Sequence, residues 1–184
     1  MDINKSKIFG NSIILFTPKR YQDSRGFFEE TFNKNVLFEK LNIRFDVLQE
    51  NHSFSKKGVL RGLHAQANPH EQAKIISVKK GLIQDVVVDI RKGSKTFGAY
   101  ESFMLSGDDN EQLYISEGFA HGFLTYSEEA DINYKVNSIY NPDSELTIKY
   151  NDPEINIDWQ GEVLSISEKD KIGISLSEYI QRYQ

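Results

Sequence analysis

The feature that most constrains this chain is a recurrence along its whole length: short runs of β-prone residues, each closed by a cluster of turn formers. Residues 12–16, 59–63, 73–78, 82–90, 100–105, 112–115, 122–126, 132–136 and 146–150 are such runs. Between them stand Lys79-Lys80-Gly81, Arg91-Lys92-Gly93-Ser94, Ser106-Gly107-Asp108-Asp109 and Asn141-Pro142-Asp143. That spacing predicts many antiparallel strands in a sandwich or barrel and disfavours βαβ units. Helix is expected only over 35–41, with Val36, Leu37, Leu41 and Phe38 toward one side, and in a turn or two within 167–182.

A chain of 184 residues with 39% apolar and 12% aromatic side chains can fill one core, and a single domain over 1–184 is expected. Lys and Arg total 22 against 27 Asp and Glu, so the net charge of −5 supplies no general field for a nucleic acid or an anionic membrane. An anionic ligand would have to meet a local cluster of cations. With no cysteine, disulfides, thiolate metal sites and cysteine nucleophiles are excluded. The start lacks the basic flank and apolar run of a secretory signal, and no stretch is apolar for about 18 residues, so a soluble cytoplasmic protein is expected.

Phosphate-loop, dinucleotide-fingerprint, H-E-x-x-H and G-x-S-x-G motifs are absent. Among four histidines, two have unusual surroundings. Simple alternation puts Leu60, Gly62 and His64 on one face of a strand, and Arg61 with Leu63 on the other. His121 stands in Gly118-Phe119-Ala120-His121-Gly122-Phe123, where glycines permit close approach of a backbone or a ligand. Lys74 breaks an apolar stripe two residues before Ile76, whereas Tyr134 alternates with Ile132 and Val136 as a core tyrosine would. By pattern alone Asp170 is equally a helix cap or a solvated carboxylate, Arg25 and Glu30 could form a surface pair, and Trp159 is expected in the core.

Ordered blocks then become recognisable: Asp23-Ser24-Arg25-Gly26-Phe27-Phe28-Glu29-Glu30, Gln49-Glu50-Asn51, Arg61-Gly62-Leu63-His64 and Gln72-Ala73-Lys74. They continue through Asp85-Val86-Val87-Val88-Asp89-Ile90-Arg91, Gly93-Ser94-Lys95-Thr96-Phe97-Gly98, Gly118 to Phe123, Tyr134-Lys135, Asn151-Asp152-Pro153 and Ser167-Glu168-Lys169-Asp170. Together they resemble the dTDP-4-dehydrorhamnose 3,5-epimerase family over nearly the whole chain. The resemblance implies a mainly β fold, a cupin-type antiparallel jelly roll with a few short helices, usually assembled as a homodimer. It implies His64 as general base, Asp170 as the carboxylate holding it, and Tyr134 as general acid. Binding positions correspond to Gln49, Asn51, Arg61, Lys74, His121, Tyr140, Glu145 and Lys169, with Arg25, Phe28 and Glu30 serving the neighbouring subunit's site.

That chemistry suits those residue types. The hydrogens at C3 and C5 of a 4-keto sugar are acidic because the carbanion delocalises into the C4 carbonyl. Inversion needs a base on one face and an acid on the other. A neutral imidazole, ordinarily near pKa ~6.5, can accept the first proton, and a phenol, ordinarily near ~10, can return one. Lys74, and after it Arg61, is the expected partner for charge on O4. The partner implied is a small nucleotide-sugar, with no cofactor, no metal, no nucleic acid and no membrane. Ala65, Ser116 and Gln160 depart from the family's usual aromatic, proline and proline. Rival readings are a single-centre epimerase or keto-isomerase, a non-catalytic nucleotide-sugar binding cupin, and a metal cupin using His64, Glu71 and His121. In the last, Gln66 occupies the place of a second box histidine.

Overall fold

A computed structural model describes residues 1–183. With strands numbered in chain order, one sheet runs β1 (Asp2–Ser6), β2 (Gly10–Thr17), β10 (Gln112–Ile115), β7 (Lys74–Lys80), β12 (Glu129–Val136), β5 (Gln49–Lys56). The other runs β13 (Glu145–Thr147), β6 (Val59–Gln66), β11 (Phe119–Thr125), β8 (Leu82–Asp89), β9 (Tyr100–Ser106). Within both sheets these neighbours are antiparallel, and β14 (Ser165–Ile166) adds to β6 in parallel. A separate hairpin pairs β3 (Arg20–Asp23) with β4 (Gly26–Glu29). The expected mainly β architecture is what forms.

Alternation along the strands builds three apolar layers. Ile13, Ile76, Leu113 and Ile132 of the first sheet meet Ile83, Val87, Leu105 and Phe119 of the second in the sandwich interior. Ile14, Phe16, Ile75 and Tyr114 face the other way, where Leu37 of helix α1 (Lys34–Leu41) and Phe45 cover them. Val86 and Val88 likewise point outward, beneath Ile148, Ile155 and the Leu176 and Tyr179 side chains of α3 (Leu176–Tyr183). The central strands of both sheets are thus buried on two faces, which explains why β8 is hydrophobic without a period. Among the described residues no helix is long and apolar enough to cross a membrane.

Local departures from regular pairing matter more for function. Across the β6/β11 ladder His64 stands opposite His121 and Arg61 opposite Phe123, so Gly62 and Leu63 together face Gly122 alone. Gly62 takes φ 122°, and a Cβ there would lie 2.6 Å from the Gly122 Cα. Only glycine fits this bulge. Its consequence corrects the alternation reading, because the extra residue turns Arg61 onto the same face as His64. Trp159 also departs from expectation. It is half-buried outside the second sheet, against the layer with Leu176, and its indole donates to the Tyr150 carbonyl.

Candidate active site

A cavity of about 740 Å³ opens between the sheets where the apolar interior gives way to polar side chains. One wall comes from the first sheet, with Gln49, Asn51 and Ser53 on β5, Lys74 on β7 and Tyr134 on β12. Register aligns them: Tyr134 pairs across the ladders with Asn51 and Ile76, and Val136 with Lys74 and Gln49. The opposing wall carries Arg61 and His64 on β6 and His121 on β11. His64 and Tyr134 therefore border one cavity from different sheets.

Asp170 reaches His64 through the way the C-terminal segment is pinned. β14 lies along β6, and a bridge between Ile148 and Ile174 fixes the chain beyond, which leaves α2 (Glu168–Lys171) lodged between the two anchors. Ser167 caps it, its hydroxyl accepting from the Asp170 amide at 3.1 Å. His64 Nε2 lies 2.6 Å from Asp170 Oδ1, and the bulge amide of Gly62 donates to Oδ2 at 3.3 Å. Burial alone would push the Asp170 carboxyl up, but hydrogen bonds from His64, Gly62 and Ser167 together with the His64 charge outweigh it and hold the group below its ordinary value. An ionised carboxylate is thus kept against His64. With Nε2–H donating its hydrogen bond to ionised Asp170, the imidazole lone pair resides on Nδ1.

A second pair lies directly across the ladder. His121 Nε2 is 2.8 Å from Asp85 Oδ2, and Asp85 is wholly buried, its Oδ1 without a hydrogen-bond partner among the described residues. Burial pushes the Asp85 carboxyl up, against the opposing pull of His121 and Lys74. Lys74 is itself buried, which lowers its ammonium to about 8 while the Asp85 charge pulls the other way. A cation, an imidazole and a carboxylate are therefore gathered in a dry corner of the cavity, where a developing negative charge on a ligand would be strongly stabilised.

The rim comes from the segment between β12 and β13. Tyr140 donates its hydroxyl to Glu145 at 2.9 Å, and Lys169 makes an ion pair with the same carboxylate. Burial opposes ionisation of Glu145, but the Lys169 and Tyr140 hydrogen bonds prevail and hold its carboxyl below the usual range. Arg61 donates to two neutral oxygens, Ser55 Oγ at 3.0 Å and the Phe54 carbonyl at 3.2 Å. Its charge remains available to an anion in the cavity.

Gln49, Asn51, Arg61, His64, Lys74 and His121 thus line one cavity together with Tyr134, Tyr140, Glu145, Lys169 and Asp170. Arg25, Phe28 and Glu30 do not join them. They lie on or beside the β3/β4 hairpin, outside this cavity, with Phe28 69% exposed. Nor do Arg25 and Glu30 pair: Arg25 forks onto Asp23, and Glu30 accepts from Asn33. Three contributors escaped the sequence reading. Asp85 announced itself only as a charge inside an apolar strand, the signal that had flagged Lys74. Gln66 and Gln72, whose amides hold the rim backbone, carry no sequence signal of that role. For the metal-cupin alternative, the two histidines each commit Nε2 to a carboxylate, and the Gln66 amide is taken by backbone groups.

Comparison with known proteins finds close sequence and fold similarity. A dTDP-4-dehydrorhamnose 3,5-epimerase from Shigella flexneri is 44% identical over 170 residues, which cover 92% of this chain and 93% of that one. The crystal structure of a 3,5-epimerase from Legionella pneumophila, in complex with dTDP-4-keto-L-rhamnose, superposes with a TM-score of 0.90 at 44% identity, covering 96% and 93% of the two chains. A 3'-monoepimerase from Streptomyces bikiniensis, bound to dTDP-quinovose, shares the fold at a TM-score of 0.86 and 30% identity, covering 92% of this chain and 86% of its own. Residues 8–178 match the family model described as dTDP-4-dehydrorhamnose 3,5-epimerase, so the chain, with its cupin-type fold, belongs to that family.

Proposed function

We propose that the protein epimerises C3 and C5 of dTDP-4-dehydro-6-deoxy-D-glucose to give dTDP-4-dehydro-L-rhamnose, with His64 as base and Tyr134 as acid. The observation that carries this reading is the placement of a carboxylate-backed histidine and a tyrosine on opposing sheets around one cavity. His64 removes a proton from the ring carbon, and ionised Asp170 stabilises the imidazolium that forms. The electron pair moves into the C4 carbonyl, and the ammonium of Lys74, with His121 beside it, receives the charge on O4. Tyr134 then delivers its hydroxyl proton to the same carbon from the other face. Arg61 and Lys169 meet the diphosphate, and Tyr140 at the rim covers the nucleotide end.

Tyr21, Phe27 and Phe28 leave the β3/β4 hairpin unusually apolar at its surface. We infer that a second copy of the chain receives it, so that Arg25, Phe28 and Glu30 complete the neighbouring site. An Arg25→Ala chain mixed with a His64→Ala chain should recover activity through hybrid dimers that hold one intact site. No recovery after demonstrated subunit exchange would sink the shared site.

The reaction is tested by incubating the protein with dTDP-4-dehydro-6-deoxy-D-glucose in deuterium oxide and following C3 and C5 by NMR. Label with inversion at both carbons is expected. Label at one carbon alone would mark a single-centre epimerase, a reaction class that the Streptomyces bikiniensis relative carries on this fold. Nucleotide binding without exchange at either carbon would make the protein a binding module.

A further inference from the structure

The rim segment that carries Tyr140 is held by side-chain amides. Gln72 Nε2 donates to the Ser138 carbonyl at 2.8 Å, and Gln49 Oε1 accepts from the Tyr140 amide at 2.9 Å. Gln66 does more than either. Its Oε1 accepts from the Asn141 amide at 2.7 Å, while its Nε2 donates to the His70 carbonyl at 2.5 Å and points to the Ile139 carbonyl at 3.5 Å. The amide group therefore grips the backbone on both sides of Tyr140 and ties it to the loop before β7. Gln66 is only 7% exposed, and in the β6/β13 ladder it pairs with Glu145, the residue that accepts the Tyr140 hydroxyl. The Gln66 side chain thus locates the backbone on either side of Tyr140, while the backbone register of the same residue places the partner of its hydroxyl.

We propose that Gln66 is a positioning residue for nucleotide-sugar affinity, acting through Tyr140 and not through proton transfer. The inference rests on the functional reading above, in which Tyr140 covers the nucleotide end. The chemistry demands glutamine specifically. A carboxylate could still accept from Asn141 but would turn its other oxygen toward the His70 and Ile139 carbonyls with no proton to give. Methionine has similar length and would leave all three backbone groups unmet. In either case the rim loses its register while the His64, Asp170 and Tyr134 contacts stay in place.

The test measures binding of dTDP by calorimetry, and turnover on the keto-sugar, for the wild type, Gln66→Met, Tyr140→Ala and the double variant. Gln66→Met should weaken dTDP binding about tenfold and raise KM in parallel, with kcat within about threefold of wild type. The double variant should bind no more weakly than Tyr140→Ala alone, because the two act through one contact. Unchanged dTDP affinity in Gln66→Met, a fall in kcat with KM preserved, or fully additive losses would each overturn the proposal. Should Gln66→Met fail to fold, Gln66→Glu retains the acceptor for Asn141, and the same loss of affinity or its absence decides. A wild-type chain that binds no dTDP would overturn the functional reading itself, which separates that failure from this one.

Discussion

Two histidines face each other across the β6/β11 ladder, each hydrogen-bonded to a carboxylate, yet their surroundings drive the pairs apart. His64 is 35% exposed at its side chain and leans on an Asp170 that three donors hold ionised. His121 is 11% exposed and leans on an Asp85 that burial pushes toward its neutral form. One pair stands beside open cavity with its carboxylate held ionised. The other is a dry electrostatic corner shared with Lys74. The lesson is that similar side chains at adjacent positions acquire different duties through solvation and through the number of donors on their carboxylates.

The largest effect should come from removing the base. His64→Ala should lower turnover by about 10³-fold or more and abolish deuterium uptake at both carbons, whereas His121→Asn, which keeps a hydrogen-bond donor, should cost about tenfold to a hundredfold. Equal losses in single-turnover kinetics would erase the distinction between the pairs. The carboxylates sharpen it further through stability. Asp170 is held below its ordinary value by the fold, so its ionised form stabilises the protein above the ordinary carboxylate range, and that contribution is lost as pH falls through the lowered value. Asp170→Asn should therefore lower Tm at neutral pH and reduce kcat by about 10²-fold. Asp85 is shifted the other way, so its charge costs stability at neutral pH, and Asp85→Asn should leave Tm unchanged or raised. Calorimetric scans showing the same sign for both would break the comparison.

A smaller and more graded effect concerns Lys74. Its ammonium, at about 8 against an ordinary 10.5, is lost as pH rises through about 8, so kcat should fall roughly tenfold per pH unit above that point. Stability should move oppositely. The unfolded chain still binds the proton between about 8 and 10.5, so this group makes the folded state more favourable as pH climbs through that window. Asp85 and His121 face the same corner, and Asp85→Asn should move the alkaline limb of kcat to lower pH by removing the charge that supports the ammonium. A limb unmoved in Asp85→Asn would separate Lys74 from O4 chemistry.

Much of the framework was legible in the sequence, because strands such as β8 and β10 are apolar runs between turn residues, and α1 ends close to where its pattern does. β5 was not. Its inward residues are Gln49, Asn51, Ser53 and Ser55, so the strand has no apolar alternation to betray it, and the reason is that this face lines the cavity. The same physics hid the relation of Arg61 to His64. Regular alternation separates them, and the bulge at Gly62 that unites them depends on close approach to Gly122, a contact made only in the folded sheet. His64, Tyr134 and Asp170 were identified through resemblance to a family, since spacing alone left Tyr134 a core residue and Asp170 a cap. Asp85 and Gln66 act through partners far along the chain and left little trace in their own neighbourhoods.

The central claim is that the proton leaves toward one sheet and arrives from the other, and Tyr134→Phe tests it most directly. Phenylalanine keeps the ring against the sandwich interior and deletes the only proton the side chain can give. In deuterium oxide the variant should still exchange at C3 and C5, because His64 forms the enolate and can return solvent label to the face it came from. NMR should therefore find deuterium in sugar of retained configuration, with inversion reduced by about 10²-fold or more. Inversion at both carbons at the wild-type rate would contradict the account and remove Tyr134 from the proton path.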